Sequence, residues 1–274
     1  MNLMRQQESE PGMESFYFGL PTQPLSGCYH VPQSGRVRQC GVILCYPMGH
    51  EYLAAHRAYW QLALHLSQAG FPLLRFDFYG CGDSAGDYSE GSLRQWLSDL
   101  ARAIDELRRR CRAQQICLVG FRLGGALAGL VGAARDDIAG LVLWDPVVNG
   151  RAYVAELTRL HQETLRHSPV QPQGPGGGER STEILGFPLT TSLLTDLENL
   201  DLMTIQQQTA SRILLIETGI QTAAEHFRAH LCAAAQVEYQ YIPTPPMWVE
   251  SVEKILVPRQ VLQAVVAWLS EVFP

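Results

Sequence analysis

Two kinds of hydrophobic pattern alternate along the chain. Short continuous apolar runs, such as Cys40–Pro47, Leu73–Phe78 and Ile116–Gly120, predict strands that are buried on both faces. Between these runs, apolar residues recur every three or four positions, as in segment 93–107, and this spacing predicts amphipathic helices. The alternation of strands and helices predicts βαβ units in a mostly parallel sheet that is flanked by helices.

The same patterns predict the remaining elements of the sheet and its helices. Helices are expected around 59–66, at Leu123–Ala134 and around Val261–Leu269, and Pro258 stands close to the first turn of the last one. The other predicted strands are Ser15–Gly19, Gly27–Val31, Leu141–Trp144, Arg212–Glu217 and Val237–Ile242.

One region interrupts the alternation. Residues 151–205 carry helical patterns but no convincing strand, and seven of the ten residues in 169–178 are Pro or Gly, which predicts a mobile linker. We therefore predict a loose tail at 1–14 and a single domain over 15–274, with a helical lid insertion at about 148–205. The insertion is interpreted either as a lid over the mouth of the sheet or as a surface segment without a role.

Composition excludes several classes of protein. With 274 residues, 46% apolar and 18% charged, the chain can bury one large core, and its net charge of −6 argues against a nucleic-acid partner. The polar amino terminus lacks a secretory pattern, and no apolar run is long enough to predict a membrane span. Seven cysteines without a CxxC pair favour free thiols in a cytoplasmic protein, and no metal or cofactor signature appears.

Loops at predicted strand ends carry a family resemblance. Segment Leu118–Gly125 runs from a strand through a tight turn into a helix of small residues, which is the shape of the G-x-S-x-G nucleophile elbow. With the Gly-rich loop Phe76–Gly86 and the Pro-Met-Gly loop 47–49, it resembles the α/β-hydrolase superfamily over about residues 40–270. The resemblance implies a mostly parallel central sheet, a lid and a Ser-His-Asp triad.

A closer resemblance is to the bacterial group called exosortase A system-associated hydrolase 2. It implies an esterase-like fold and a role beside a membrane protein-sorting and exopolysaccharide system. The segments that carry it are Gly80–Asp87, Gly120–Gly124, Leu143–Val147, Glu183–Phe187 and Met247-Trp248.

The sequence departs from the superfamily pattern at the nucleophile. Arg122 stands where the elbow needs Ser, Cys or Asp. A nucleophile must lose a proton and attack, whereas an arginine side chain stays protonated in proteins. Ordinary acyl-transfer chemistry from this position is therefore not expected.

The other two triad roles are also unfilled. None of the eight histidines follows His230, although the catalytic base of this fold comes late in the chain. The loop 243–252 offers Trp248 and Glu250 instead, and 218–222 holds no Asp. Asp145, at the end of a predicted strand, is an alternative acid, but it has no base to orient.

Two interpretations of Arg122 stay open. In the first, the guanidinium is locked in a salt bridge with Asp145 or Glu250 and fills the former active site. In the second, it joins the backbone N–H groups of Met48 and Leu123 at a helix amino terminus and forms an anion site beside Trp248. Such a site would suit a carboxylate, a phosphate or an acidic sugar, and a small acyl compound is an alternative ligand.

Cys81 is the remaining candidate nucleophile, and His50 is its nearest candidate base in the sequence. A Gly-x-Gly sequence after a strand is, however, mainly a requirement of a tight turn. Two function classes therefore remain. The chain is either an accessory or binding protein with a degenerate hydrolase site, or an ester or thioester hydrolase that uses unorthodox residues.

Overall fold

The computed structural model describes residues 12–111, 113–167, 181–207, 209–219, 224–246 and 256–274. Its centre is an eight-stranded sheet. The strands are β1 (Met13–Leu20), β2 (Gln23–His30), β3 (Cys40–Cys45), β4 (Leu73–Phe76), β5 (Gln115–Phe121), β6 (Ile138–Trp144), β9 (Arg212–Glu217) and β10 (Gln236–Tyr241). The helices are α1 (Gly49–Gln68), α2 (Leu93–Cys111), α3 (Leu123–Ala134), α4 (Gly150–His167), α5 (Thr191–Glu198), α6 (Ala224–Cys232) and α7 (Arg259–Val272).

The strand order is β1-β2-β4-β3-β5-β6-β9-β10. Strand β2 pairs antiparallel with both β1 and β4, and every other pairing in this sheet is parallel. The predicted α/β-hydrolase fold, with a mostly parallel sheet flanked by helices, is thereby confirmed.

Burial on both faces of the sheet explains the continuous apolar runs. In β3, Val42 and Leu44 pack in one core with α1 and α7, whereas Ile43 and Cys45 pack in another core with α2 and α3. Because successive side chains of a strand point to opposite faces, both sets of positions must be apolar.

The insertion differs from the helical prediction, because a hairpin lies between α4 and α5. Strands β7 (Ser181–Ile184) and β8 (Phe187–Thr190) pair antiparallel around a two-residue loop, Leu185-Gly186. Both loop residues have positive φ, 52° and 85°, as a tight hairpin turn requires. Leucine is a poor residue for that conformation, and the turn therefore lacked the usual Asn-Gly signal.

The insertion packs as a cap onto the sheet domain, since its buried side chains belong to the same core as α2 and α3. Residues 169–178, predicted to be a mobile linker, lie outside the described residues, as do residues 1–11. Strand β1 begins at Met13 and so takes in the end of the segment predicted as a tail.

Candidate functional site

The turn between β5 and α3 has the geometry of a nucleophile elbow. Arg122 adopts φ 52° and ψ −121°, a backbone conformation that residues other than glycine rarely adopt. A Cβ atom on Gly124 would lie 2.0 Å from the Cys45 carbonyl oxygen, and one on Gly120 would lie 2.4 Å from the Gly124 carbonyl oxygen. These glycines let the helix start directly against the sheet, and the predicted tight turn is confirmed.

Two carboxylates hold the Arg122 side chain, which is only 5% exposed. Its Nε donates to Glu51 Oε1 at 2.8 Å, and its Nη2 donates to Glu156 Oε2 at 2.5 Å. Glu51 lies in the first turn of α1 and is fully buried, whereas Glu156 lies on α4 and its side chain is 30% exposed. The guanidinium therefore links the sheet domain to the cap.

Tyr153 completes this arrangement from α4. Its hydroxyl donates to Glu51 Oε2 at 2.8 Å, and its ring centroid lies 5.2 Å from Arg122 Cζ. Burial alone would lower the pKa of Arg122, but the charges of Glu51 and Glu156 outweigh it and raise that pKa. Burial and the nearby Glu51 raise the pKa of Tyr153 well above its usual value, so its hydroxyl remains a donor.

Asp145 has a different partner from the one that the sequence predicted. Its Oδ1 accepts a hydrogen bond from the backbone N–H of Thr218 at 2.9 Å, and its Oδ2 accepts one from Thr218 Oγ1 at 2.5 Å. Burial raises the pKa of Asp145, while the bonds from Thr218 and the charge of Arg122 oppose that rise. The carboxylates found in ion pairs with Arg122 are Glu51 and Glu156, which corrects the proposed pairing with Asp145. Glu250 and Trp248 lie outside the described residues.

A small cavity lies beside the elbow among the described residues. Met48 directly precedes α1, Leu123 is the first residue of α3, and both are buried. A cavity lined by Met48, His50, Tyr153 and residues of the cap offers about 10 Å³, which is enough for roughly one water molecule. Among the described residues, this space is too small for an acyl substrate.

Cys81 has the surroundings of an inert thiol. Burial, with smaller contributions from Asp77 and Asp99, raises its pKa to about 12. A catalytic cysteine needs the opposite shift, because the thiolate is the nucleophile. Its candidate base His50 lies on α1 and lines the small cavity beside the elbow.

The residues that sequence analysis missed are Glu51, Tyr153 and Glu156. Glu51 follows the Pro-Met-Gly loop by two residues, and Tyr153 and Glu156 are three residues apart, which places them on one face of α4. The lone Arg122 predicted that a carboxylate would compensate it, but no local pattern connects it to partners 71 and 34 residues away.

Within the described segments, no group of three or more His, Cys, Asp or Glu side chains is arranged to hold a metal ion. None of the helices described has the length and apolar character needed to cross a membrane.

Comparisons with known proteins place this geometry in context. The family described as serine aminopeptidase, S33, matches residues 48–184. The protein Est1E from Butyrivibrio proteoclasticus superposes with a TM-score of 0.66 at 16% identity, over 94% of this chain and 98% of that chain.

Two other solved structures are also similar to this chain over nearly its whole length. The esterase Pf2001 of Pyrococcus furiosus gives a TM-score of 0.63 at 15% identity, over 96% of this chain and 91% of its own. A serine hydrolase without a lid from Xanthomonas campestris gives 0.60 at 14% identity, over 97% of both chains. Comparison with curated protein sequences gives no significant match. At these identities, the structural likeness establishes the fold.

Proposed function

Because the chain belongs to the serine aminopeptidase S33 family, whose fold presents its nucleophile at the elbow, we propose that it is a non-hydrolytic member of that family. The observation that carries this proposal is the buried pairing of Arg122 with Glu51 and Glu156 at the elbow. An arginine paired in this way neither attacks a carbonyl carbon nor makes room for one.

The contacts around Arg122 favour the internal salt bridge over an anion site. An incoming anion would have to compete with Glu51 and Glu156 for the guanidinium, and Glu51 is fully buried. A displaced Glu51 would remain as a buried carboxylate without its cation, at a cost of several kcal/mol. The formal charge of the three side chains is −1, which also opposes the entry of an anion.

We assign the protein an accessory or binding role in an exopolysaccharide or protein-sorting system. This assignment rests on the resemblance to the exosortase-associated group, of which Gly120–Gly124 and Glu183–Phe187 are parts. The first of these segments forms the elbow that carries Arg122, and the second spans the hairpin of the cap. Two of the segments that carry the resemblance therefore lie in the elbow and in the cap.

Ester hydrolysis tests the loss of catalysis. We expect no turnover of short-chain p-nitrophenyl esters or thioesters, and no labelling by a fluorophosphonate, from the wild type or from Arg122→Ser. The serine variant stays silent because no histidine takes the place of the late base. Turnover by the wild type that Cys81→Ser or His50→Ala abolishes would establish the alternative, an active ester or thioester hydrolase with unorthodox residues.

Calorimetry separates the salt bridge from an anion site. We expect no heat of binding for acetate, phosphate or glucuronate with the wild type. Saturable binding that Arg122→Met removes would show that the guanidinium is a ligand-binding group and would overturn the internal salt bridge.

Complementation tests the accessory role. In a bacterial strain that lacks the protein, we expect reduced export of polysaccharide or of sorted proteins, which the wild-type gene restores. The variants Cys81→Ser and His50→Ala should restore export equally well, since no hydrolysis is required. An unchanged export phenotype in the deletion strain would refute the accessory role, whatever the outcome of the ester assays.

A further inference from the structure

The hairpin of the cap forms one wall of the small cavity beside the elbow. Ile184, Phe187 and Leu189 line that cavity, and Ile184 and Leu189 are buried. The ring centroid of Phe187 lies 5.1 Å from that of Tyr88, which belongs to the sheet domain and lines the same cavity. A displacement of the hairpin would therefore open the elbow on this side.

A histidine side chain attaches the turn of the hairpin to α4. The backbone N–H of Leu185 donates to Nδ1 of His161 at 3.1 Å. Ile184 pairs with Phe187 across the turn, so Leu185 belongs to the loop and its N–H lies outside the pairing of the two strands. Because Leu185 has a φ of 52°, which is unfavourable for leucine, this bond supports a conformation that the turn itself does not favour.

The direction of this hydrogen bond fixes the protonation state of His161. A backbone N–H can only donate, so Nδ1 must carry the lone pair and the imidazole must be neutral, with its proton on Nε2. Protonation places an N–H group on both ring nitrogens. The charged side chain then has no acceptor for Leu185, and two N–H groups face each other across the contact.

Two other histidine contacts respond differently to acid. Nε2 of His230 lies 2.8 Å from the carbonyl oxygen of Ile205, which can only accept, so this imidazole donates and still donates when it is charged. Nε2 of His30 accepts from Nε of Arg75 at 3.0 Å, but burial and the charge of Arg75 lower the pKa of His30 to about 3. Of these three contacts, only that of His161 is expected to break in mild acid, since histidine side chains change their charge between about pH 5 and 8.

The charges near His161 come from α4 itself and from the cap elements packed against it, α5 and β7. On α4, the residues three and four positions away are leucines and threonines, and Arg159 and Glu163 bind each other at 2.8 Å. The charged side chains of the other two elements are Glu183, Asp196 and Glu198. Within the described ranges His161 takes part in no ion pair, so no partner there offsets the bond that protonation removes.

We propose that protonation of His161 releases the hairpin turn from α4 and opens the cap beside the elbow in mildly acidic conditions. Helix α4 itself stays in place, because the bonds of Glu156 and Tyr153 at the elbow involve no histidine. The cap therefore has a pH-sensitive part, the hairpin, and a part that is insensitive to the same change. This device does not depend on whether the elbow hydrolyses esters.

Hydrogen exchange of the full chain, followed by NMR at about pH 7.5 and pH 5, tests the proposal. The amides of Ile184 and Phe187 report on the hairpin, and those of α3 serve as an internal reference. After correction for the intrinsic effect of pH on exchange, we expect protection of the hairpin amides to fall about three- to tenfold at the lower pH, as the loss of one hydrogen bond implies. Protection within α3 should stay unchanged.

Two substitutions at position 161 separate the acceptor from the charge. In His161→Asn, the amide oxygen takes the place of Nδ1 and cannot be protonated, so protection should stay at its level at pH 7.5 under both conditions. In His161→Phe, which has no acceptor, protection should be low at both pH values. His230→Gln is the matched control and should keep the pH dependence of the wild type. Circular dichroism establishes that each variant is folded.

The titration of the wild type provides a measurement that needs no variant. We expect the amide proton shift of Leu185 and the ring nitrogen shifts of His161 to change with the same midpoint. Different midpoints, equal protection of the hairpin at both pH values, or a pH dependence that survives in folded His161→Asn would each overturn the proposal. None of these measurements uses an ester or an anion, so the proposed function and this inference fail separately.

Discussion

The amino-terminal end and the middle of α3 border opposite kinds of interior. At its amino-terminal end, Arg122, Glu51 and Glu156 fill the elbow with charge, and hydrogen bonds join the three side chains. Near its middle, Gly129 and Thr209 border an open apolar volume of about 200 Å³ and a buried hydroxyl without a partner. Among the described residues, an ion pair therefore occupies the elbow, whereas a cavity lies farther along the same helix.

The largest expected effect on stability comes from breaking the ion pair between Arg122 and Glu51 at the elbow. Glu51→Gln removes the charge of a fully buried carboxylate that pairs with Arg122. Removal of one member of a buried ion pair costs about 3–5 kcal/mol. We expect a loss of that size in the free energy of unfolding, measured by urea denaturation.

A double variant serves as the control for this prediction. Arg122→Met combined with Glu51→Gln removes both buried charges, and we expect it to recover part of the stability that Glu51→Gln loses. If Glu51→Gln costs less than 1 kcal/mol, as an exposed pair would, the elbow does not depend on this ion pair.

A substitution at Thr209, beside the middle of α3, should instead increase stability. Thr209→Val replaces a buried hydroxyl, unpartnered among the described residues, with a methyl group of similar shape. Leaving such a group unsatisfied costs about 1–3 kcal/mol, so we expect a gain of about 1 kcal/mol in thermal or urea denaturation. A loss of stability would mean that the hydroxyl has a partner in solution.

The sequence predicts the strands, the helix and the turn of both regions better than it predicts the side-chain contacts between distant segments. Continuous apolar runs identified β3, β4, β5, β6 and β9, and the small residues of Leu123–Ala134 predicted α3 with its observed bounds. The glycines around Arg122 predicted the elbow, because that turn has a local requirement for residues without a Cβ. Each of these features depends on residues that are close together in the sequence, and a local pattern therefore predicts it.

The partners of Arg122 and the cavity depend on distant segments. Glu51 and Glu156 lie 71 and 34 residues from Arg122, and only the cap brings Glu156 to the elbow. The sequence indicated that a buried cation needs a carboxylate, but the candidates it offered were Asp145 and Glu250, and Asp145 is bound by Thr218 instead. The pairing of strands around Leu185-Gly186 was missed because that turn places a leucine at positive φ.

A smaller gain is expected from Gly129→Ala. Its Cβ enters open space, and alanine favours a helix interior over glycine by up to about 1 kcal/mol. The matched control is Gly132→Ala on the same helix, where the new Cβ would meet the Thr209 carbonyl oxygen at 2.4 Å and should destabilise the fold. Equal effects at both positions, measured by thermal denaturation, would contradict the difference in packing along α3.

The smallest effect is expected at the cap side of the filled end. Glu156→Gln removes the charge of a side chain that is 30% exposed, and Arg122 keeps Glu51 as its buried partner. Ion pairs with access to solvent contribute about 0–1 kcal/mol, so urea denaturation should show a loss in that range. The same substitution loosens the link between α4 and the elbow, and hydrogen exchange should become faster in α4 while that of α3 stays unchanged. A loss as large as that of Glu51→Gln would show that the cap and the sheet domain contribute equally to holding the arginine.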